Sequence, residues 1–367
     1  MAKKIIKVLI IDDSALVRKM LSEILKSDKD INVVGTASDP FIARERIKKL
    51  NPDVLTLDVE MPNMDGISFL RNLMRLRPMP VVMVSTLTDA GAEITLDALE
   101  LGAVDYITKP KIDFNNTIEN YSNELIEKVK MAARAKVVTK YRKLNEKTGL
   151  NLKVEKKESA DAVLQLSQRK QNYKLTDTII AIGASTGGTE AIREILEEMP
   201  ADSPGIVITQ HIPENFSKSF AERVDKLSKM KVYEAIDGQQ IMAGHAYIAP
   251  GNKHLFIERS GARYICRLND GPAVNRHKPS VNVLFRSIAN QVGRNAIGVI
   301  LTGMGDDGAD GMVEMKQSGA ITIAQDEQSS VVWGMPGEAV KRNCVDEILP
   351  LNRVSGLLIS LSSTKAA

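Results

Sequence analysis

Short aliphatic and β-branched runs that end on polar side chains, each followed by a stretch with helical periodicity, set the strongest limit on how this chain folds. Before residue 125 the runs are IKVLIID, PDVLTLD, PVVMVST and VDYIT, and SALVRKMLSEILKS and DPFIARERIKKL lie among them with apolar residues at helical spacing. After residue 178 the pattern resumes with TIIAIGAS, GIVITQH and AIGVILTGMGDD, and helical patterns follow at Thr189–Met199, Asn215–Lys229 and Gly311–Ser318. Runs that are apolar on both faces must be covered on both, and strands alternating with helices imply βαβ units around parallel sheets. A chain of 367 residues has room for roughly two or three such domains. Two α/β domains, each a doubly wound parallel sheet, are therefore expected. Ser14 or Asp13 is placed to cap the first helix, and Pro62, Pro78 and Pro110 punctuate loops.

The net charge of +3 belongs to one segment. From Lys136 to Lys174 there are 11 Lys/Arg against 4 Asp/Glu, a surplus of seven that leaves the rest of the chain net negative. That segment has one glycine, no proline and few aromatics, which marks a solvated helical or partly disordered linker rather than a nucleic-acid surface. The expected organisation is a first domain over 1–125, a linker over 126–175 and a second domain over 176–367. No apolar run approaches the roughly 20 residues needed to span a bilayer. The opening MAKKIIKVLIIDD is basic and then apolar, but it is short, meets paired carboxylates and lacks a small-residue cleavage site. It reads as a strand, and the protein is expected in the cytoplasm. Cys266 and Cys344 are too few and too far apart for a disulfide framework or metal knuckle and are expected as buried thiols.

Ligands of parallel sheets collect at the carboxyl ends of the strands. In the first half those ends carry Asp12 and Asp13, Asp58, Ser85 with Thr86, and Lys109. Three carboxylates brought together repel one another unless a hard cation neutralises them, and all-oxygen ligation suits Mg²⁺. Asp58, alone at its strand end, suits a phosphoryl acceptor, with Asp12 and Asp13 as the metal pair, a hydroxyl from Ser85 or its neighbour Thr86, and the Lys109 ammonium as counter-charge. Residues from about Lys7 to Asn123 resemble a two-component receiver domain through IIDDS, LDVEMPNMDG, VST and YITKP. That resemblance implies a flavodoxin-like fold and phosphoryl transfer from a histidine kinase to Asp58, with Mg²⁺ held by Asp12, Asp13 and Asp58.

In the second half the strand ends deliver Ser185, then His211, then Asp306 and Asp307. A serine hydroxyl becomes a nucleophile when an imidazole takes its proton, and that imidazole needs an acceptor on its other nitrogen to hold one tautomer. An oxyanion site is also required, and both GASTGG and TGMGDDG can free backbone N–H groups for it. The order Ser, His, Asp excludes the α/β-hydrolase elbow, whose acid precedes its histidine. GxxxGG after a strand also suits a phosphate-cradling turn at a helix N-terminus. His245, His254 and His277 are rivals for the base, but His245 and His277 sit in loop-like sequence, and only His211 closes an expected parallel strand. The spacing of GDDGADG falls well short of an EF-hand.

From about Thr178 onward the chain resembles the catalytic domain of the chemotaxis protein-glutamate methylesterases. The segments that carry it are IGASTGGTEAI, ITQHIPENFSKSFAERV, GHAYIAPGNKH, DGPAVNRHKPSVNVLF, GVILTGMGDDGADGM and VVWGMPGEAV. The resemblance implies a Rossmann-like domain with Ser185 as nucleophile, His211 as base and Asp307 as orienting acid, and with Thr186 and the backbone near Met304 binding the oxyanion. It further implies hydrolysis of glutamate methyl esters, and deamidation of glutamines, on the cytoplasmic helices of chemoreceptors. The esterase chemistry needs no cofactor in this reading. The unphosphorylated receiver is expected to cover the esterase cleft until Asp58 is charged, and the chain is expected to be a monomer without nucleic-acid partners or membrane insertion. The rival reading keeps the receiver and makes the second half a non-catalytic nucleotide-binding or adaptor module.

Overall fold

The computed structural model describes residues 5–61, 65–86, 88–109, 116–135, 159–164 and 178–366. Pro62, Pro110 and most of the basic segment lie outside these residues. The chain divides into two compact units, residues 1–145 and 146–367.

The first unit runs β1 (Ile6–Ile11), α1 (Ala15–Lys26), β2 (Ile31–Ala37), α2 (Pro40–Leu50), β3 (Val54–Asp58), α3 (Gly66–Leu76), β4 (Val81–Ser85), α4 (Asp89–Glu100), β5 (Asp105–Thr108) and α5 (Asn116–Ala132). The sheet order is β2-β1-β3-β4-β5, all parallel. Side chains of β3 and β4 are buried on both faces, as strands sandwiched by helices must be. Ser14, not Asp13, caps α1 by accepting the Val17 N–H, and Asp39 caps α2 ahead of Pro40. α5 runs past residue 125, so the helical sequence at the start of the expected linker belongs to the first unit.

Among the described residues, the second unit opens with a 3-10 turn at Ala160–Ala162 and has β6 (Ile179–Ala184), α6 (Gly188–Glu198), β7 (Gly205–Gln210), α7 (Glu214–Leu227), β8 (Lys231–Glu234), β9 (His245–Ile248), β10 (His254–Ser260) and β11 (Arg263–Asn269). After these come α8 (Val281–Gln291), β12 (Ala296–Ile300), α9 (Ala309–Gln317), β13 (Ile321–Gln325), α10 (Met335–Lys341), β14 (Glu347–Leu349) and α11 (Leu351–Ala366). Seven parallel strands take the order β14-β13-β12-β6-β7-β9-β8, and β10 and β11 form a separate antiparallel hairpin. From β6 the chain builds outward on one side through β7, then crosses to β12 on the other. Adjacent connections therefore diverge between β6 and β12, where the carboxyl ends open a crevice.

α8 packs on β6, β10 and α9, and its apolar face joins Val281, Leu284, Phe285 and Ile288 to the main core. The short turn at 160–162 lies against the same helix. Ala160 is buried with Val274 and Val283, and the Arg286 guanidinium reaches Asp161 at 2.6 Å, the Leu164 carbonyl at 2.9 Å and Glu314 on α9 at 2.5 Å. Part of the segment expected as a solvated linker is thus tied to the second unit. Both cysteines are buried free thiols. Among the described residues no helix is long and apolar enough to cross a membrane.

Candidate functional site

Ser185 is the first residue beyond β6 and His211 the first beyond β7, and the last paired positions of those strands are Ala184 and Gln210. The two residues are therefore neighbours across one strand spacing, about 4.8 Å. The His211 N–H donates to the Ala184 carbonyl at 3.1 Å and the Ser185 N–H to Thr302 O at 3.0 Å, which ties the serine to the strands on both sides. Gly187 follows at φ 76°, a conformation that lets the chain turn sharply into α6.

His211 is 8% exposed, and its Nε2 lies 2.8 Å from Asp307 Oδ2. Its Nδ1 is buried and has no hydrogen-bond partner. An Nε2–H donated to the carboxylate leaves Nδ1 as the free basic nitrogen, the tautomer required of a general base. The Ser185 hydroxyl makes no hydrogen bond to the imidazole in this state. The ring of His277 stacks on His211 with centroids 3.7 Å apart at 7°.

Asp307 is 1% exposed and nearly saturated with donors. Oδ2 also accepts the Val281 N–H at 2.7 Å, while Oδ1 accepts the Ser280 hydroxyl at 2.8 Å, the Asn282 N–H at 3.2 Å and Asn275 Nδ2 at 3.4 Å. The carboxylate thus sits on the N-terminus of α8, where a negative charge is favoured. Burial alone drives its pKa up, but the His211 contact, with help from His277 and Ser280, prevails and lowers it from 3.8 to about 2. Asp306, its neighbour, is half-buried and 3.8 Å from Arg342, away from the imidazole contact.

The loop after β12 closes the far side. A Cβ on Gly303 would lie 2.8 Å from Ser185 Cβ, so this backbone passes directly beside Ser185. Thr302 Oγ1 donates to the Thr186 carbonyl at 3.0 Å and accepts the Val332 N–H at 3.0 Å. The Met304 N–H is committed to no acceptor among the described residues. It belongs to the residue after Gly303, whose backbone approaches Ser185, and Thr186 directly follows the serine.

The rival histidines are accounted for. His254 is buried, with Nε2 donating to Pro272 O and Nδ1 accepting the Ser280 N–H, and burial lowers its pKa. His245 does not lie in a loop, as its sequence suggested, but opens β9 at the amino end of a parallel strand, and its Nδ1 bonds Ala243 O. A four-residue strand between Gly244 and Pro250 is too short to show periodicity. His277 lies in a turn as expected, but against the site rather than away from it.

In the first unit, Asp12, Asp13 and Asp58 present oxygens within 4.8 Å of one another. Lys109 Nζ is 2.7 Å from Asp58 Oδ2 and 3.6 Å from Asp12 Oδ2, and the latter oxygen is buried without a hydrogen bond. Burial raises the pKa of Asp58 to about 6 despite the Lys109 hydrogen bond, and the Asp12 charge adds to the rise. An orphaned carboxylate oxygen beside two further carboxylates is the donor set a hard divalent cation satisfies. The Ser85 hydroxyl contacts Gly91 O at 3.3 Å and Thr86 O at 3.4 Å, while Thr86 Oγ1 lies 3.5 Å from Glu60 Oε1, so neither hydroxyl touches Asp58.

Sequence reasoning missed Asn275, Ser280 and Asn282, which position Asp307, and Gln210, which lies between serine and histidine. Their only signal was membership of the dense motifs DGPAVNRHKPSVNVLF and ITQH.

Residues 180–358 match the family described as CheB methylesterase, and residues 8–119 match the response regulator receiver domain. The protein-glutamate methylesterase/protein-glutamine glutaminase of Hydrogenovibrio crunogenus is 55% identical over 97% of this chain and 98% of its own length. A protein of the same description from Geobacter metallireducens is 57% identical over 96% of this chain and 95% of its own. The crystal structure of the Thermotoga maritima CheB methylesterase catalytic domain is 36% identical, covering 50% of this chain and 98% of that one with a TM-score of 0.50. With a receiver ahead of an esterase domain and relatives alike over nearly their full length, this chain belongs to the protein-glutamate methylesterase/protein-glutamine glutaminase family.

Proposed function

We propose that this chain is a phosphorylation-regulated esterase that hydrolyses glutamate methyl esters on the cytoplasmic helices of chemoreceptors to glutamate and methanol, and deamidates glutamines there to glutamate and ammonia. The observation that carries the chemistry is the single engaged nitrogen of His211: Nε2 is bound to Asp307, and Nδ1 is left buried and unpartnered, on a residue that, like Ser185, directly follows the strand pair ending at Ala184 and Gln210. In this reading His211 Nδ1 takes the proton of Ser185 as its Oγ attacks the ester carbonyl, and Asp307 stabilises the imidazolium through Nε2–H. Charge on the carbonyl oxygen is met by the Thr186 and Met304 backbone. Methanol leaves with the proton from His211, and water, deprotonated by the same nitrogen, releases Ser185.

The receiver half, read as residues 1–125, takes a phosphoryl group on Asp58 from a histidine kinase, with Ser85 as the adjoining hydroxyl and Lys109 as counter-charge. Asp12, Asp13 and Asp58 would hold Mg²⁺, which when bound neutralises the acidic set and the incoming phosphoryl oxygens. The linker, read as 126–175, connects this switch to the esterase, read as 176–367, in the cytoplasm.

The test is mass-spectrometric mapping of a fluorophosphonate probe on the full chain. Labelling is expected at Ser185 and lost in His211→Ala; labelling at another serine would overturn the assignment, and no labelling would favour a non-catalytic second half.

A further inference from the structure

Gln210 closes β7 with its side chain 3% exposed. Its Nε2 donates to Ser185 O at 2.8 Å and to His211 O at 3.2 Å. The amide orientation is set by these partners, because the reversed form would press an oxygen against two carbonyl oxygens. The outcome is that Oε1 is buried with no hydrogen-bond partner. The last glycine of GASTGG is explained by the same group: a Cβ on Gly188 would lie 2.2 Å from Gln210 Oε1.

We propose that Gln210 is a positioning residue that sets the geometry between the nucleophile, the base and the oxyanion donor; the inference rests on the esterase reading above. A peptide unit is planar, so the Ser185 carbonyl and the Thr186 N–H turn as one body. That carbonyl accepts the Gly188 N–H at 2.7 Å and Gln210 Nε2 at 2.8 Å. Two donors from different directions fix the plane and so aim the Thr186 N–H. The second hydrogen of the same amide holds the carbonyl of His211, joining the two turns that carry serine and imidazole. The side chain does not supply the hydroxyl, the imidazole nitrogen or the oxyanion donors, so its effect falls on transition-state geometry rather than substrate binding. A buried acceptor left unpaired is unfavourable for stability, and its retention fits a group kept for its donors.

The experiment uses the full chain, with methanol release from methyl-esterified receptor helices, fluorophosphonate labelling rate and thermal midpoint as readouts. Gln210→Met removes both donated hydrogen bonds together with the orphaned oxygen, and Gln210→Glu keeps the shape but removes the donors. Both are expected to lower kcat about 10- to 100-fold with KM within about twofold, and to slow Ser185 labelling in parallel. Gln210→Met is expected to keep a thermal midpoint close to that of the parent. Thr209→Val, on the same strand, is the packing control and is expected to retain parental kcat. Parental kcat in both Gln210 variants, with Ser185→Ala inactive, overturns this inference alone. Activity in Ser185→Ala overturns the esterase reading and the inference with it. A loss shared by Thr209→Val, or one that only tracks a fallen thermal midpoint in both Gln210 variants, assigns the residue to packing and also overturns it.

Discussion

Replacing Asp307 by asparagine removes one charge from a site that supplies it with five donors, and each of the two amide orientations damages the site in its own way. With the NH₂ at the Oδ2 position it faces the Val281 N–H, and His211 must present Nε2 as an acceptor, which moves its proton to Nδ1 and disables the base. With the NH₂ at the Oδ1 position the Ser280 hydroxyl can turn to accept it, but the Asn282 N–H loses its partner and no charge is left to stabilise the imidazolium. Either way kcat should fall roughly 10²- to 10⁴-fold. The folded pKa of Asp307 is lowered from 3.8 to about 2, a difference worth about 2–3 kcal/mol of folding stability at neutral pH. Because the folded value is depressed, this contribution is complete above the ordinary value of 3.8 and is lost as pH falls toward about 2. Urea unfolding of parent and Asp307→Asn should therefore show a gap at about pH 5 that closes as pH falls below about 4. An activity within tenfold of the parent, or a stability gap that widens in acid, would refute the reasoning.

Three further expectations concern the acceptor Asp58 and the ion pairs that tie the 160–162 turn to α8. Asp58→Asn should abolish the response of methanol release to a small-molecule phosphodonor while leaving fluorophosphonate labelling of Ser185 intact; a parental response in this variant would remove Asp58 as acceptor. Arg286 is 7% exposed and its partner Glu314 is similarly enclosed, so Arg286→Met should destabilise the second unit by about 3–5 kcal/mol, largely recovered when Glu314→Met is added. Asp161 is exposed, so Asp161→Asn should change denaturant stability by less than about 1 kcal/mol.

The strands legible in the sequence are those whose burial on both faces forces a continuous aliphatic run: IIAIGA, GIVITQ, VLTLD and VVMVS all lie where the runs placed them. β2 and β8 are not legible, because INVVGTA and KVYE carry partly solvated faces and no unbroken run. Ser185, His211 and Asp307 can be found because a parallel sheet gathers its strand ends, whatever their separation in sequence. Their supports cannot. Ser280 and Asn282 reach Asp307 from the start of α8, a helix whose approach depends on packing across β6 and β10. The 160–162 turn leaves no mark in the sequence because Ala160 and Val163, its anchors, are two small residues in a segment dominated by charge. The hydroxyl beside Asp58 is a different case: Ser85 closes its strand as expected, but its Oγ bonds into the start of α4.

The arrangement of the crevice also fixes when in the life of a molecule it can act. In the proposed reading the nucleophile Ser185 and the base His211 follow β6 and β7, consecutive strands, whereas the acid Asp307 comes after β12 on the opposite flank, 96 residues after the histidine. At roughly 5–20 residues per second of synthesis, a growing chain carries Ser185 and His211 for several seconds before Asp307 exists. Until β12 pairs beside β6 the imidazole has no partner to select its tautomer. The crevice is therefore incomplete until residue 307 has been made, about 200 residues after the last described strand of the first unit ends at Thr108.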